Sequence, residues 1–494
     1  MRVSRRQLST RAALFLSGAS GVVLSLAWPE SGAGYLAWFA LAPFLVALEG
    51  RGARAGFGLG FVFGLGFFGA LLWWITHAGF VAWVVLVFVQ ALFTAAFGSI
   101  NAGLRLAGWW RVAAAPVLWV AIEYVRSLFP VGGFTWGQIA QSQHDLLWML
   151  RPAALAGAWL VTFMVILVNS LIAVAFRSED ATRPVGAAAV ALGVVVWPLA
   201  LPVPAATGAS ADVAIVQGNV LRDFAGSAFD RELAIVASHT LLTRALDSSS
   251  LDLVVWPESA VGLDIERFDE VAEMVASAAR AADAPLIVGG NLDVDDEHYK
   301  VMALHISDEG AIVDRYQKTH LVPFGEYVPA RVYLDWIPML DQVPRDAVAA
   351  NEPVVFDVAG GKVAPVISFE GDFGSLVRER IDAGGRLLVV ATNTSTWGES
   401  WASAQHVAFS QLRAAENGVW VVHAAISGIS AFIAPDGQVL SATKLWTRAT
   451  LAEEVRFARR PSFYSRTGDW FPLACGLGTI LLFGAAIVHG KRAS

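Results

Sequence analysis

Eight runs of apolar residues dominate the chain, at approximately 11–28, 34–50, 57–77, 79–100, 108–128, 150–177, 185–206 and 470–490. A long polar segment separates the seventh from the eighth. A helix needs about 20 apolar residues to cross roughly 30 Å of hydrocarbon. In lipid every backbone N–H and C=O must find a partner within the protein, which leaves helices or a closed barrel. Runs of this length select helices. The expected fold class is a polytopic α-helical membrane bundle of about eight spans, carrying an α/β sandwich domain between spans seven and eight. The expected division is 1–206 for helices one to seven, 207–469 for the polar domain, and 470–494 for helix eight with a short tail. The first run reads as a span and not a cleaved signal peptide, because further spans follow at once and no small-residue cleavage site is evident.

Composition agrees: the 494 residues are 56% hydrophobic and 16% charged, with 19 Trp, and the mean hydropathy is +0.55. That is too apolar for an ordinary soluble enzyme. The net charge of -7 is modest and no basic block suggests nucleic acid. Cys475 is the single cysteine, so an intrachain disulfide and a multi-cysteine metal site are excluded. No metal or cofactor is expected. Arg2, Arg5, Arg6 and Arg11 precede the first run, Arg51 and Arg54 follow the second, and Arg105 and Arg111 flank the start of the fifth. Arg177 and Arg183 follow the sixth, and Lys491 with Arg492 end the chain. If every run crosses, these fall on one side, which the positive-inside rule makes cytoplasmic. Both termini are expected there, in a bacterial cytoplasmic (inner) membrane, with 207–469 on the opposite face.

The polar segment alternates β-branched runs (213–217, 251–256, 285–290, 365–369, 387–392) with helical stretches at 268–283 and 404–418. Hairpin patterns occupy 298–316 and 427–440, the latter with a Pro-Asp-Gly turn. Sheets inside and helices outside are expected. Residues 208–211 and 458–472 read as joints to the bundle. Three chemistry-bearing residues sit at the ends of apolar runs: Glu258 in VVWPE, Lys318 in DRYQKTHLVPFGEY, and Ser368 in APVISFEGDF. A carboxylate, a lysine and a nucleophile are the parts needed for acyl transfer through a covalent intermediate. Glu326 and Glu370 are candidate supporting carboxylates, to orient Lys318 or an incoming amine; Glu326 also reads as a turn residue, and Glu370 reads more readily as a structural one. His320 reads as a packed histidine, and Phe134, Tyr124 and Trp136 as bundle aromatics. Glu123 and Arg126 are spaced to pair on one helix face.

The order Glu258, Lys318, then Phe369-Glu370 after a nucleophile position resembles the carbon-nitrogen hydrolase (nitrilase) superfamily. The chain is more similar still to its membrane branch, the apolipoprotein N-acyltransferases. QGN at 217–219, VVWPES at 254–259, KTHLVPFGEYVP at 318–329, TNTSTWG at 392–398, LRAAENG at 412–418 and SGISAFI at 427–433 carry the resemblance. AIEYVRSLFPVGGFTWG at 121–137 is similar to that family's re-entrant membrane motif.

The resemblance implies a nitrilase-like sandwich and the last step of bacterial lipoprotein maturation. There an acyl chain leaves a phospholipid donor, rests on the enzyme, and passes to the α-amine of a diacylglyceryl-cysteine lipoprotein acceptor. It implies Glu258 as general base, Lys318 as oxyanion support and position 368 as nucleophile, in a glutamate–lysine–cysteine triad with no cofactor. Here the family's cysteine is replaced by Ser368, a much weaker acid than a thiol. Three accounts stand: a working serine, an engineered silencing change, or an inactive paralogue that binds lipid or lipoprotein. The last includes a scaffold for an envelope glycosyltransferase, a partner linked to some actinobacterial relatives. A membrane-tethered amidase is the other enzymatic reading. The aromatic, proline-rich stretch 329–344 is expected to be a membrane-facing lid.

Overall fold

The protein is described by a computed structural model over residues 7–106, 109–177, 182–222, 224–247, 251–358 and 360–492; Arg2, Arg5 and Arg6 lie outside the described residues. The chain forms two compact units: Met1–Val203 with Thr467–Ser494, and Pro204–Arg466.

In the first unit, helices cover Thr10–Ser25, Ala53–Leu71, Phe80–Gly103, Trp109–Arg126, Ala158–Arg177, Thr182–Val196 and Trp470–Arg492. Among the described residues four stretches are long and apolar enough to cross a membrane: Ala53–Leu71, Phe80–Gly103, Ala158–Arg177 and Thr182–Ala200. The second apolar run departs from the expected continuous span. It is broken into Gly34–Leu36, Ala37–Ala40 and Ala42–Ala47, because Pro43 has no N–H to continue the helical ladder. Asn169 occupies the break, accepting from the N–H groups of Leu41 and Ala42 at 2.9 Å each and donating to Ala37 O at 2.8 Å. The sixth run is also shorter than expected, its long helix starting at Ala158 after Gly157 at φ +68°.

Close helix approach explains the glycine spacing of Ala53–Leu71. A Cβ on Gly60 would stand 2.2 Å from Thr94 O, and the Thr94 hydroxyl donates to Gly60 O at 2.9 Å. This is the small-residue packing that lipid-embedded helices use. Glu123 and Arg126 are both buried, but their hydrogen bonds go elsewhere than to each other. Glu123 accepts from Ile139 N–H at 3.0 Å and from the Thr162 hydroxyl at 3.0 Å. Arg126 donates to Phe134 O at 3.0 Å, Trp136 O at 2.7 Å and Gln90 Oε1 at 3.2 Å. The two residues pin the non-helical segment after their own helix, where backbone groups have no ladder to join. Tyr124 meets Trp159 edge-on, and Trp136 lies between Trp74 and Phe134.

The second unit contains β1 (Ser210–Gln217), β2 (Leu253–Val255), β3 (Leu286–Asp293), β4 (His298–Ile306), β5 (Ile312–Gln317), β6 (Asp346–Ala347) and β7 (Phe356–Val358). It continues with β8 (Gly361–Ile367), β9 (Leu387–Thr392), β10 (Val421–Ala425), β11 (Ala431–Ile433), β12 (Val439–Ala442) and β13 (Ala449–Arg456). Among the described residues these make two sheets, ordered β13-β1-β2-β3-β4-β5 with β6 beside β4, and β12-β11-β10-β9-β8-β7. Each has a parallel heart, β1-β2-β3 and β8-β9-β10. Helices Ala228–Arg244 and Asp269–Ala282 connect the first set, and Gly374–Asp382 and Ala402–Asn417 the second.

Strands buried on both faces explain the near-continuous apolar runs. Val213, Ile215 and Val255 of the first sheet pack against Val363, Ile367, Val389 and Val422 of the second. Their neighbours Ala214, Val216 and Val254 face Val275 and Ala279 of a covering helix. On the other side Val366 and Val390 face Val377, Ile381 and Val407. The result is the expected sandwich, helices outside and sheets inside. Two local expectations change. Residues 208–211 are no free linker, since Ser210 and Ala211 already pair in β1 and Gly208 N–H donates to Phe457 O at 2.8 Å. The run at 365–369 ends as a strand at Ile367, where a 3₁₀ turn, Ser368–Asp372, begins.

Candidate active site

Glu258, Lys318 and Ser368 each lie just beyond the C-terminal end of a strand, β2, β5 and β8 respectively. Groups there escape the ladder and project past the sheet edge, where open α/β sheets place ligands. Gly289 of β3 makes room for the first: a Cβ there would stand 2.3 Å from Pro257 O and 2.6 Å from Glu258 Cα.

Lys318 is fully buried and donates to Glu258 Oε1 at 3.1 Å and Glu326 Oε1 at 2.5 Å. Burial alone would lower its pKa, but the two carboxylates outweigh that and raise it, so the ammonium stays charged. Glu326 goes the other way. Burial pushes its pKa up against the pull of Lys318, with the nearby Glu258 charge adding to the rise. Its second oxygen accepts Val322 N–H at 2.7 Å. Two carboxylates around one ammonium leave an excess of negative charge in a buried space, in keeping with the rise at Glu326. The second oxygen of Glu258 accepts Asn393 N–H at 2.8 Å.

Ser368 is held at φ +49°, a left-handed conformation that costs a non-glycine residue on the order of 1–3 kcal/mol and marks functional turns. Its hydroxyl lies 3.1 Å from Thr392 Oγ1. Thr392 and Asn393 are chain neighbours, so the corner at the end of β9 touches Ser368 through the strand's last residue and Glu258 through the residue after it.

Glu370 is the tie between the remaining two. Fully buried, it accepts from Thr319 N–H at 2.8 Å and His320 N–H at 3.2 Å, just after Lys318, and from Ile367 N–H at 2.8 Å, just before Ser368. Tyr316 OH and Thr319 Oγ1 also donate to it, at 2.6 and 2.7 Å, and Arg380 at 3.1 Å. Burial raises its pKa, but Arg380 and these donors outweigh that and hold it below the usual carboxylate range. Glu370 therefore clamps backbone and is spoken for on both oxygens. His320 packs on Phe369 and Phe373. Cys475 packs with Val120 and Trp159 in the other unit.

Arg380 was not a sequence candidate. It is 1% exposed and bonds Tyr316 OH and Thr319 Oγ1 besides Glu370. In VRERID it reads as one more charge on an amphipathic helix, and no local pattern sets it apart. Thr392 opens the TNTSTWG motif, and that motif was its available signal.

Residues 20–171 match the apolipoprotein N-acyltransferase N-terminal domain, and residues 212–462 match the carbon-nitrogen hydrolase family. Over 489 residues the chain is 33% identical to "Apolipoprotein N-acyltransferase" of Geobacter metallireducens, covering 94% of each chain. It is 30% identical to the protein of that name from Mycolicibacterium smegmatis, over 96% of this chain and 84% of the relative. The Gloeobacter violaceus protein of that name is 29% identical, over 96% and 94%. With both domains matched in order and a relative similar over nearly its whole length, the chain belongs to the apolipoprotein N-acyltransferase family.

Proposed function

We propose that this chain is a membrane N-acyltransferase that moves an acyl chain from a phospholipid to the N-terminal diacylglyceryl-cysteine of a lipoprotein, with Glu258, Lys318 and Ser368 as its centre. Glu258 takes the proton of the Ser368 hydroxyl as the oxygen attacks the donor's ester carbonyl. Lys318 supports the tetrahedral oxyanion, and the lysophospholipid leaves with the proton. The acceptor amine then attacks the acyl-enzyme ester, Glu258 receives its proton and passes it to the departing serine oxygen, and an amide remains. The observation that carries this reading is the buried lysine gripped by two carboxylates, joined to Ser368 through the Thr392-Asn393 corner. The arginines of the bundle connections favour cytoplasmic termini and an outward-facing catalytic unit in the cytoplasmic membrane.

Ser368 itself favours a second reading, a paralogue that binds lipid or lipoprotein without turnover, for example as a scaffold for an envelope glycosyltransferase. Transfer from labelled phospholipid to a diacylglyceryl-cysteine peptide, measured for the chain as written and for Ser368→Cys, separates the two. Transfer by the serine form, with an ester adduct on Ser368 in the mass spectrum, makes serine the nucleophile. Transfer by the cysteine form alone makes Ser368 a silencing residue in intact machinery. Two folded, silent forms that still bind lipid hand the case to the scaffold.

A further inference from the structure

A second polar site lies wholly within the helical unit. An open cavity of about 510 Å³ is bordered by the connection at Leu48–Gly52, the end of the Phe80–Gly103 helix with Arg105, the start of Trp109–Arg126, and the ends at Arg177 and Arg183. Its described lining contains Arg51, Arg105, Arg111, Arg177 and Arg183 against one acid, Glu49. Glu179 and Asp180 belong to the same connection but lie outside the described residues.

The arginines are not scattered surface charges. Glu49 holds Arg111 at 3.3 Å and Arg177 at 2.9 Å, and these guanidiniums are less than a fifth exposed. Arg111 also donates to Leu45 O at 2.7 Å, and Arg51 to Leu8 O at 2.7 Å and Ala47 O at 2.9 Å. Three guanidiniums make these contacts at the wall, and Arg105 and Arg183 also line the space, at its rim. Leu48, Ala102, Leu106 and Val174 give the same space an apolar side. A forked, planar donor set is suited to phosphate oxygens, and basic pockets between membrane helices suit anionic headgroups. An apolar wall beside them suits an acyl chain better than a free ion.

We propose that this cavity binds the headgroup of an anionic phospholipid, separately from the acyl-transfer centre. The geometry does not depend on which face of the membrane the cavity opens to. The test uses the full-length protein, delipidated in detergent, titrated with dioleoyl-phosphatidylglycerol, dioleoyl-phosphatidylcholine or glycerol 3-phosphate. Thermal stabilisation and lipid adducts in native mass spectra are read together. Saturable binding of phosphatidylglycerol over phosphatidylcholine is expected. Arginine near an anionic lipid surface contributes about fivefold each, so Arg105→Gln with Arg183→Gln should weaken binding roughly 25-fold. Arg11→Gln with Arg54→Gln, outside the lining, should change it far less. If the glutamine pair does not fold, Arg105→Lys with Arg183→Lys keeps the charge, loses the fork and should still weaken binding several-fold. Equal loss in the control pair would reduce the effect to general charge attraction and overturn the proposal. So would indifference to lipid charge, unchanged binding in the lysine pair, or glycerol 3-phosphate binding as tightly as the lipid.

Discussion

Glu370→Gln tests whether the carboxylate beside Ser368, the proposed nucleophile, acts by holding backbone. The change keeps shape and removes charge. Five donor contacts converge on Oε1 while Oε2 takes only Ile367 N–H. Glutamine therefore keeps its carbonyl toward the five and turns its NH₂ against Ile367 N–H, leaving that donor unsatisfied at about 1–3 kcal/mol. Arg380, 1% exposed, loses its counter-charge, and breaking a buried pair costs about 3–5 kcal/mol. Part of that overlaps, so a net loss of about 4 kcal/mol is expected. For a unit of this size 1 kcal/mol moves the unfolding midpoint by about 2–4 °C, which gives a drop on the order of 10 °C in a tryptophan-fluorescence melt. Adding Arg380→Met should return part of it, since the orphaned charge goes too. The same carboxylate, its folded pKa held low, contributes stability above its unfolded value near 4.3 that is lost as pH falls through the folded value. The variant should therefore show a flatter acid limb. A melt within about 2 °C of the parent, with acyl transfer abolished, would refute the clamp and put Glu370 into the chemistry.

Three further outcomes follow from the same geometry. Gly289→Ala forces Pro257 O and Glu258 Cα away from a new Cβ, so transfer by an active form should fall at least about tenfold, a 1.4 kcal/mol displacement penalty in the transition state, and parent-like kinetics would remove Gly289 from the positioning of the base. His239 is buried, accepts Gly218 N–H at Nε2 and has its pKa lowered to about 4, chiefly by burial; because the unfolded imidazole binds its proton near 6.5, stability should fall as pH drops from about 6.5 to 4, and His239→Gln should flatten that slope in pH-dependent melts. Val332, Tyr333 and Trp336 are 89, 79 and 78% exposed on a loop anchored by Val328, Leu340 and Val343. Trp336→Ala should slow turnover of vesicle phospholipid several-fold with an unchanged melt, and unchanged kinetics would take that loop out of lipid handling.

Much of the site was legible because its pieces are local. VVWPE, the lysine after DRYQ and ISFE each pair a β-branched strand with the residue that ends it, and the strand ends place Glu258, Lys318 and Ser368 on the edges of the two sheets. Other motifs that carry the resemblance make packing contacts. Gln217 of QGN accepts from the Ser430 and Thr443 hydroxyls at 2.7 Å each and donates to Lys444 and Thr447 carbonyls, stitching the 427–443 hairpin to β1. Arg413 and Glu416 of LRAAENG pair with each other, both 1% exposed. Such words mark where packing is exacting as well as where chemistry occurs.

What the chain's order of residues determined was periodic or short-ranged: apolar runs long enough for lipid, strands apolar on both faces, turns that end them. Hydrophobic pattern is a local property, and it survives whatever the rest of the chain does. The tertiary structure alone decided that Asn169 fills the break made by Pro43, and that the hydrogen bonds of Glu123 and Arg126 go to other segments. It alone showed that Arg380 and Glu370 tie Lys318 to Ser368, and that five arginines from three connections meet at one cavity. Charged side chains are tolerated in a low-dielectric interior only where partners from distant positions satisfy them. Those partners are set by three-dimensional convergence, which no window along the chain contains.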